Sequence, residues 1–343
     1  MRRIFLVVLL VLPFFIIEAQ ENKVETLISH GNRLVEQELY EDALGKYKEA
    51  LSIDKSSERA IYELAYVYFL MKKDEAALDY CHKAIRLNGS KWVDANLLYA
   101  SILERKGEVK DAIKVLEKAL RRDPHNYLLH YNLGSINYNA KELDKAAWYF
   151  EQSIRENRLH SSSHLLLAYT MIEKEEYAKG VLALYYFLLL EPDSYRSNAT
   201  LSMLENLWNI NALKLDLLHR KKQGKVAKEN QKFVQLGKSY VSSWGSESSD
   251  EKTDLESLIV HTNDLMEAMN GISDIELDIW NLVYFDLFKV IHEKGYTESF
   301  VYLIGDCKYN TQILEKISEH PQDFRAFAAW MEVTLESLKE DHN

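Results

Sequence analysis

Few side chains in this 343-residue chain stand at spacings suited to chemistry. His160 and His164 lie four residues apart, so two imidazoles could share one helix face and grip a metal. No His-Glu-x-x-His pattern accompanies them, and His160 falls at a junction between segments, so both read as structural histidines. Asp278, Asp286, His292 and Asp306 offer acids and a base, yet at no spacing that an acid–base or nucleophilic constellation uses. Cys81 and Cys307 are far apart and make no disulfide framework; Cys81 reads as a core filler. No phosphate loop, nucleophile elbow or two-cysteine knuckle is present. The expectation is a protein that is not an enzyme and carries no metal and no cofactor. What remains is chemistry of contact, in a set of tyrosines.

The elements that would position those tyrosines are helices. With 12 Gly, 4 Pro and no alternating Val/Ile/Thr runs, the apolar residues follow helical spacing nearly throughout. Asp111 to Asp123 shows the pattern best. Ala112, Leu116 and Ala119 share one face, Arg121 and Arg122 suit the negative helix end, and Pro124 stops the helix. Versions of this stretch return about every 34 residues. Ala43, Ala77, Ala112, Ala146 and Gly180 are in register. So are Ala50, Ala84, Ala119, Ser153 and Phe187 seven residues on, and Gly31, Ala65, Ala100, Gly134 and Ala168 twelve residues back. Larger residues, Tyr47, Cys81, Leu116, Phe150 and Leu184, sit at +4. This is an internal repeat of helix pairs, neither of which can bury its stripe alone. Small residues let the helices approach closely, and the larger one fills the space between.

The units resemble tetratricopeptide repeats. Leu133-Gly134 with Ala146, Phe150 and Ser153 carry the likeness, as do Ala100 with Gly107, Ala112, Leu116, Ala119 and Pro124, and Ala168 with Tyr177 and Pro192. The resemblance implies an all-α solenoid of five helix-turn-helix repeats, at 24–57, 58–91, 93–126, 127–160 and 161–194. It also implies a binding face on the first helix of each unit. Its positions are Ile28, Asn32 and Val35; Tyr62, Tyr66 and Phe69; Leu97, Ser101 and Glu104; Tyr131, Ser135 and Tyr138; Leu165, Tyr169 and Ile172. Asn32, Tyr62, Tyr66, Phe69, Leu97, Tyr131, Tyr138 and Tyr169 are the candidate partner-binding residues. Tyrosine presents a large contact area and a polar tip at little entropic cost. Ile28 and Tyr66 stand where a clamp for an acidic peptide terminus would want polar or basic groups. Phe187 replaces the small residue of the other units, so whatever follows the fifth unit packs differently from a sixth repeat.

Residues 195–250 are expected to hold a capping helix, with Ser194 as its cap and Leu201, Leu204 and Leu207 as its stripe, and then a linker. The linker takes in a basic stretch from His219 and a polar break over Ser242–Asp250. Residues 251–343 form a small helical bundle. Its stripes are Leu255, Leu258, Leu265, Met266 and Met269; Leu277, Trp280, Tyr284, Leu287, Phe288 and Ile291; and, after Pro321, Phe324, Phe327, Ala328, Met331, Leu335 and Leu338. Residues 1–19 have the pattern of a bacterial secretory signal: Arg2-Arg3, an apolar run from Ile4 to Ile17, then Glu18-Ala19. That run is shorter than the roughly 20 residues a spanning helix needs. The net charge of −11, one unit more negative without the leader, argues against nucleic acid.

The functional expectation is an exported, periplasmic or cell-envelope scaffold that binds another protein or peptide segment in the tyrosine-lined groove. Association with a membrane would be peripheral or through a partner. The alternatives are a structural component of an envelope assembly, or an enzyme whose site lies in 251–343.

Overall fold

The computed structural model describes residues 20–211, 213–214, 231–244, 254–272 and 278–340. The leader, the basic stretch from His219, most of Ser242–Asp250 and Leu277 lie outside these residues. The regular structure described is entirely helical. Ten helices form five pairs: α1 (20–36) and α2 (Tyr40–Ile53), α3 (Glu58–Leu70) and α4 (Asp74–Leu87), α5 (Trp92–Arg105) and α6 (Val109–Arg122), α7 (Tyr127–Asn139) and α8 (Leu143–Glu156), α9 (Ser161–Glu173) and α10 (Tyr177–Leu190). After them come α11 (Tyr195–Asn209), α12 (Gln231–Trp244), α13 (Asp254–Asn270), a π-helical turn (Trp280–Phe285) that runs into α14 (Asp286–Glu293), α15 (Thr297–Glu319) and α16 (Pro321–Glu340). The chain divides into two compact units, one ending at Pro124 and the other starting at His125.

One local device turns the chain inside every pair. Glu38, Lys72, Gly107, Lys141 and Glu175 each have positive φ just beyond the first helix. After α3, the Lys72 N–H donates to the Phe69 carbonyl and the Lys73 N–H to the Tyr68 carbonyl. That is a Schellman motif, which satisfies two carbonyls the helix end leaves unpaired. The same two bonds recur at Gly107–Glu108, Lys141–Glu142 and Glu175–Glu176. Four of the five turns place a non-glycine residue in a conformation that suits glycine.

Within the pairs, size is matched across the contact. A Cβ added to Gly31 would lie 2.4 Å from the Tyr47 ring, and one added to Gly134 would lie 2.6 Å from Phe150. Where the residue at the ring's position is Cys81, Leu116 or Leu184, the facing position is Ala65, Ala100 or Ala168. Glycine thus faces an aromatic ring and alanine faces a smaller side chain. The register residues Ala43, Tyr47, Ala50, Ala77, Cys81, Ala112, Leu116, Ala146 and Phe150 are all fully buried. Ser153, also fully buried, meets its polar need by donating to the Tyr127 carbonyl (2.9 Å) and lying 2.8 Å from Ser163 Oγ.

In the second unit the last pair is sheathed. Eleven of the 14 residues of α10 are buried, including Phe187. Ser194 caps α11 through a reciprocal capping box with Ser197, and Leu201, Leu204 and Leu207 are buried as their spacing predicts. Helices α11, α12 and α15 and the π-helical turn pack on α10. Polar ties fix this packing: Tyr185 Oη lies 2.6 Å from Thr262 Oγ1, and the buried Lys232 Nζ is 2.5 Å from Asp278 Oδ2 and 3.2 Å from Asn281 Oδ1. The stripe of α13 is buried throughout. Two expectations need correction. Helix α12 continues through Ser242 to Trp244, inside the expected break, and Ala328 is exposed, since the buried face of α16 is carried by Phe327 and Met331.

Candidate functional site

In the N-terminal unit, α3 carries Tyr62, Tyr66 and Phe69 along one face, all half-buried. The Tyr62 and Tyr66 rings stack, with centroids 6.4 Å apart and planes 11° from parallel. Two cations from the neighbouring pair lie over this face. Lys91, just before α5, places its ammonium 5.3 Å from the Tyr62 ring centroid and pairs with Asp94 at 2.7 Å. Arg105, in the last turn of α5, lays its guanidinium 4.0 Å over Phe69, donates to the Phe69 carbonyl at 3.1 Å and pairs with Asp74. Such cation–π contacts, each worth about 0.5–2 kcal/mol, hold rings and cations in one arrangement before any partner arrives. Burial raises the Tyr62 hydroxyl above its usual range, and the Asp94 carboxylate adds to the rise. Burial also raises the Glu63 carboxyl, against the pull of Lys91 and Arg59.

Not every residue of the expected face is free to bind. Ile28 is fully buried and belongs to the core, and the half-buried Asn32 accepts a hydrogen bond from Tyr47 Oη at 2.7 Å. Leu97 is half-buried, one turn before Ser101, whose hydroxyl returns to the Leu97 carbonyl at 3.0 Å.

In the second unit the tyrosines are half-buried too, but their tips are engaged. Tyr131 meets His160 edge-on at 4.8 Å, packs on Phe150 at 6.1 Å, and hydrogen-bonds to Ser162. Tyr138 donates to Glu173, which also pairs with Lys141 at 2.9 Å, while the Lys141 ammonium lies 5.2 Å from the Tyr138 ring. Burial, with the neighbouring Glu173 carboxylate, pushes Tyr138 up to about 12. Tyr169 stays half-buried on α9, whereas Leu165, one turn before it and one repeat after Tyr131, is in the core at 5% exposure. Arg196 of α11 spans this end: it pairs with Glu191, donates to Ser162 Oγ at 3.0 Å, and lies 5.2 Å over Phe187.

Most of the other sequence candidates have structural partners. His164 is fully buried, stacked on Tyr186 at 4.2 Å. Its Nε2 is 2.9 Å from the Arg158 carbonyl and its Nδ1 2.8 Å from Tyr284 Oη. The carbonyl can only accept, so Nε2 carries the proton and Nδ1 accepts from the tyrosine. Both nitrogens are therefore occupied, and burial lowers the imidazole to about 3. His160 Nδ1 is taken by Ser163 Oγ at 2.7 Å, so the two histidines do not form a metal pair. Asp278 holds Lys232, Asp306 accepts from Asn310, His292 lies 3.4 Å from Thr297 Oγ1, and Asp286 is exposed. Among the described residues no three His, Cys, Asp or Glu side chains gather as a metal would require. Burial pushes the Cys81 thiol up to about 12, as befits an inert core residue.

Sequence reasoning missed Lys91, Arg105 and Lys141, because it ranked only the stripe positions themselves. These cations stand at helix ends and turns, which the repeat brings beside the preceding or same pair's rings. No recurring signal marks the first two: the positions matching Lys91 and Arg105 in the other repeats hold no Lys or Arg.

Helix pairs in this register define a class, and the chain matches it. Tetratricopeptide repeat profiles match residues 31–72, 58–91 and 97–163. These residues carry tetratricopeptide repeats, and such repeats support a role as a scaffold for protein–protein interaction. A TPR repeat-containing protein of Methanocaldococcus jannaschii is 24% identical over 172 residues, 47% of this chain and 30% of that protein. Tetratricopeptide repeat protein 21B of Xenopus laevis is 24% identical over 189 residues, 55% of this chain and 13% of its own length. The chain thus spans less than a third of these relatives. Among solved structures, that of Pseudomonas aeruginosa pilF aligns with a TM-score of 0.48 at 23% identity, covering 63% of this chain and 98% of that one. No helix among the described residues is long and apolar enough to cross a membrane.

Proposed function

We propose that the protein is a non-catalytic scaffold of the cell envelope that holds a segment of a partner protein on the tyrosine-lined face of its repeats. The observation that carries this reading is the α3 face. Tyr62, Tyr66 and Phe69 are half-exposed, and Lys91 and Arg105 already order their rings. Rings held this way lose little entropy on binding, which favours a contact surface. Leu97 extends the same unit's surface. In the second unit Tyr169 is the better contact residue, since Tyr131 and Tyr138 spend their hydroxyls on Ser162 and Glu173. The location rests on the leader pattern of residues 1–19 in the sequence. Any membrane association is peripheral or through the partner.

Photo-crosslinking in the native envelope tests this, with a crosslinkable residue placed at Tyr66, at Phe69 or, as a control, at the exposed Val333 of α16. One shared partner should be captured from positions 66 and 69 and lost in the double variant Tyr62→Ala/Tyr66→Ala. A partner captured only from position 333 would move recognition to the C-terminal helices and sink the reading.

A further inference from the structure

The second helices of repeats two and three end on a group of cations that the tyrosine face does not use. A cleft of about 460 Å³ opens between α4, the first turns of α5 and the end of α6. Arg86, Lys118 and Arg122 line it, with Trp92, Asn88 and Asn96, and no carboxylate does. Arg122 lies 4.3 Å over the Trp92 ring, so its guanidinium is held in place. Asn96 is nearly buried and gives its amide to the Trp92 carbonyl at 2.7 Å, which fixes the floor. Arg86 makes one hydrogen bond, from Nε to the His82 carbonyl at 3.2 Å. None of the three cations forms an ion pair with a described residue.

The helix dipole explains one cation at each helix end, and Arg121 already serves α6 without facing the cleft. It does not explain three cations converging on an acid-free hollow in a chain of net charge −11. We propose that this cleft docks an acidic segment of a partner protein, whose Asp or Glu carboxylates are held by Arg86, Lys118 and Arg122. Lys118 and Arg122 are one helical turn apart, a rise of about 6 Å, which suits carboxylates on separate residues better than the oxygens of one small anion. The Trp92 ring gives the apolar stems of such residues a surface to lie on. Beyond Arg86 an adjoining hollow adds His82 and Lys83, with Asp79 as its single acid, so the basic track extends past one contact. The site gives the scaffold a second surface and stands independently of whether the tyrosines bind.

Calorimetric titration of the full-length protein with a Glu/Asp-rich octapeptide, and separately with inorganic phosphate, tests the proposal. The peptide should bind, and its affinity should fall at least about tenfold as KCl rises from roughly 0.05 to 0.5 M. Arg86→Gln/Arg122→Gln should weaken binding at least about tenfold, while Tyr62→Ala/Tyr66→Ala leaves it unchanged. Arg86 and Arg122 are exposed, so their variant should fold like the wild type, which circular dichroism checks. No binding of the peptide, or binding that survives Arg86→Gln/Arg122→Gln, overturns the proposal. Phosphate binding as tightly as the peptide, and in competition with it, also overturns it in favour of a small-anion site. Loss only in the tyrosine variant would remove the cleft and leave the α3 face standing.

Discussion

Helices α6 and α10 occupy the same place in their repeats, yet they are surrounded differently. Helix α6 buries Ala112, Leu116 and Ala119 of its 14 residues and turns lysines, arginines and acids to solvent. Helix α10 buries eleven of 14, and beside the small Ala178, Gly180 and Ala183 it hides Tyr185, Tyr186 and Phe187. An amphipathic helix needs one partner surface, whereas one apolar all round must be covered on several sides. The first unit is thus an array in which each helix meets its neighbours along the chain. The second is an array whose last pair has become the centre of a bundle.

The largest effect expected from this contrast comes from removing the cover. A chain ended at Asn209 bares Tyr185 and Tyr186 of α10, and it should aggregate or bind a hydrophobic dye strongly. A soluble chain ended there, with a sharp thermal transition, would show that α10 does not depend on the helices after α11.

Size matching within the pairs should operate alike in both units. Gly134→Ala forces a Cβ into Phe150 and should cost about 1–3 kcal/mol in chemical denaturation. Adding Phe150→Leu recreates the Ala100–Leu116 combination and should recover much of that loss, with Gly31→Ala and Tyr47→Leu behaving in parallel. Additive losses in either double variant would break the comparison.

A smaller effect belongs to the second unit alone. His164 is held neutral between Tyr284 and the Arg158 carbonyl, its folded pKa about 3 against an ordinary 6.5. The unfolded chain therefore binds the extra proton first. Stability from this group is complete above about pH 6.5 and declines as pH falls toward 3, by roughly 1 kcal/mol per unit. Denaturation midpoints of the wild type and His164→Gln should diverge at pH 7 and converge toward pH 4. Parallel curves would assign the acid sensitivity elsewhere. Glu176 acts lower on the scale: burial opposes its charge, but Lys179 and Lys174 outweigh that and hold it at about 2.

The smallest change concerns the turns. Lys72 is exposed and has φ +57°, in the position that Gly107 fills one repeat later. Lys72→Gly should stabilise the first unit by a few tenths to about 1 kcal/mol, read as a rise in the denaturation midpoint. A fall would mean that the entropy glycine adds to the unfolded chain outweighs the relief of strain.

Much of the array was legible because its contacts join residues at fixed offsets. Gly134 and Phe150 stand 16 residues apart within one pair, and so do Gly31 and Tyr47, so a repeat exposes both sides of each contact. The candidate face was legible in part. Tyr62, Tyr66 and Phe69 fall on one side of α3 as spacing requires, but Ile28 and Leu165 obey the same spacing and are buried. Spacing assigns a helix face and leaves open what lies against it.

The order of the five helix pairs, their close-packed seams and the positions of their turns follow from the sequence alone. Each depends on neighbours within about one repeat, and the pattern is written five times over. The tertiary structure alone decided what meets across longer separations. It set Lys91 and Arg105 over the α3 rings, joined His164 to Tyr284, Tyr185 to Thr262 and Lys232 to Asp278, and wrapped α10. Each of those pairings occurs once and is not copied from repeat to repeat. Burial and the need of each polar group for a partner select them only when the whole unit has closed.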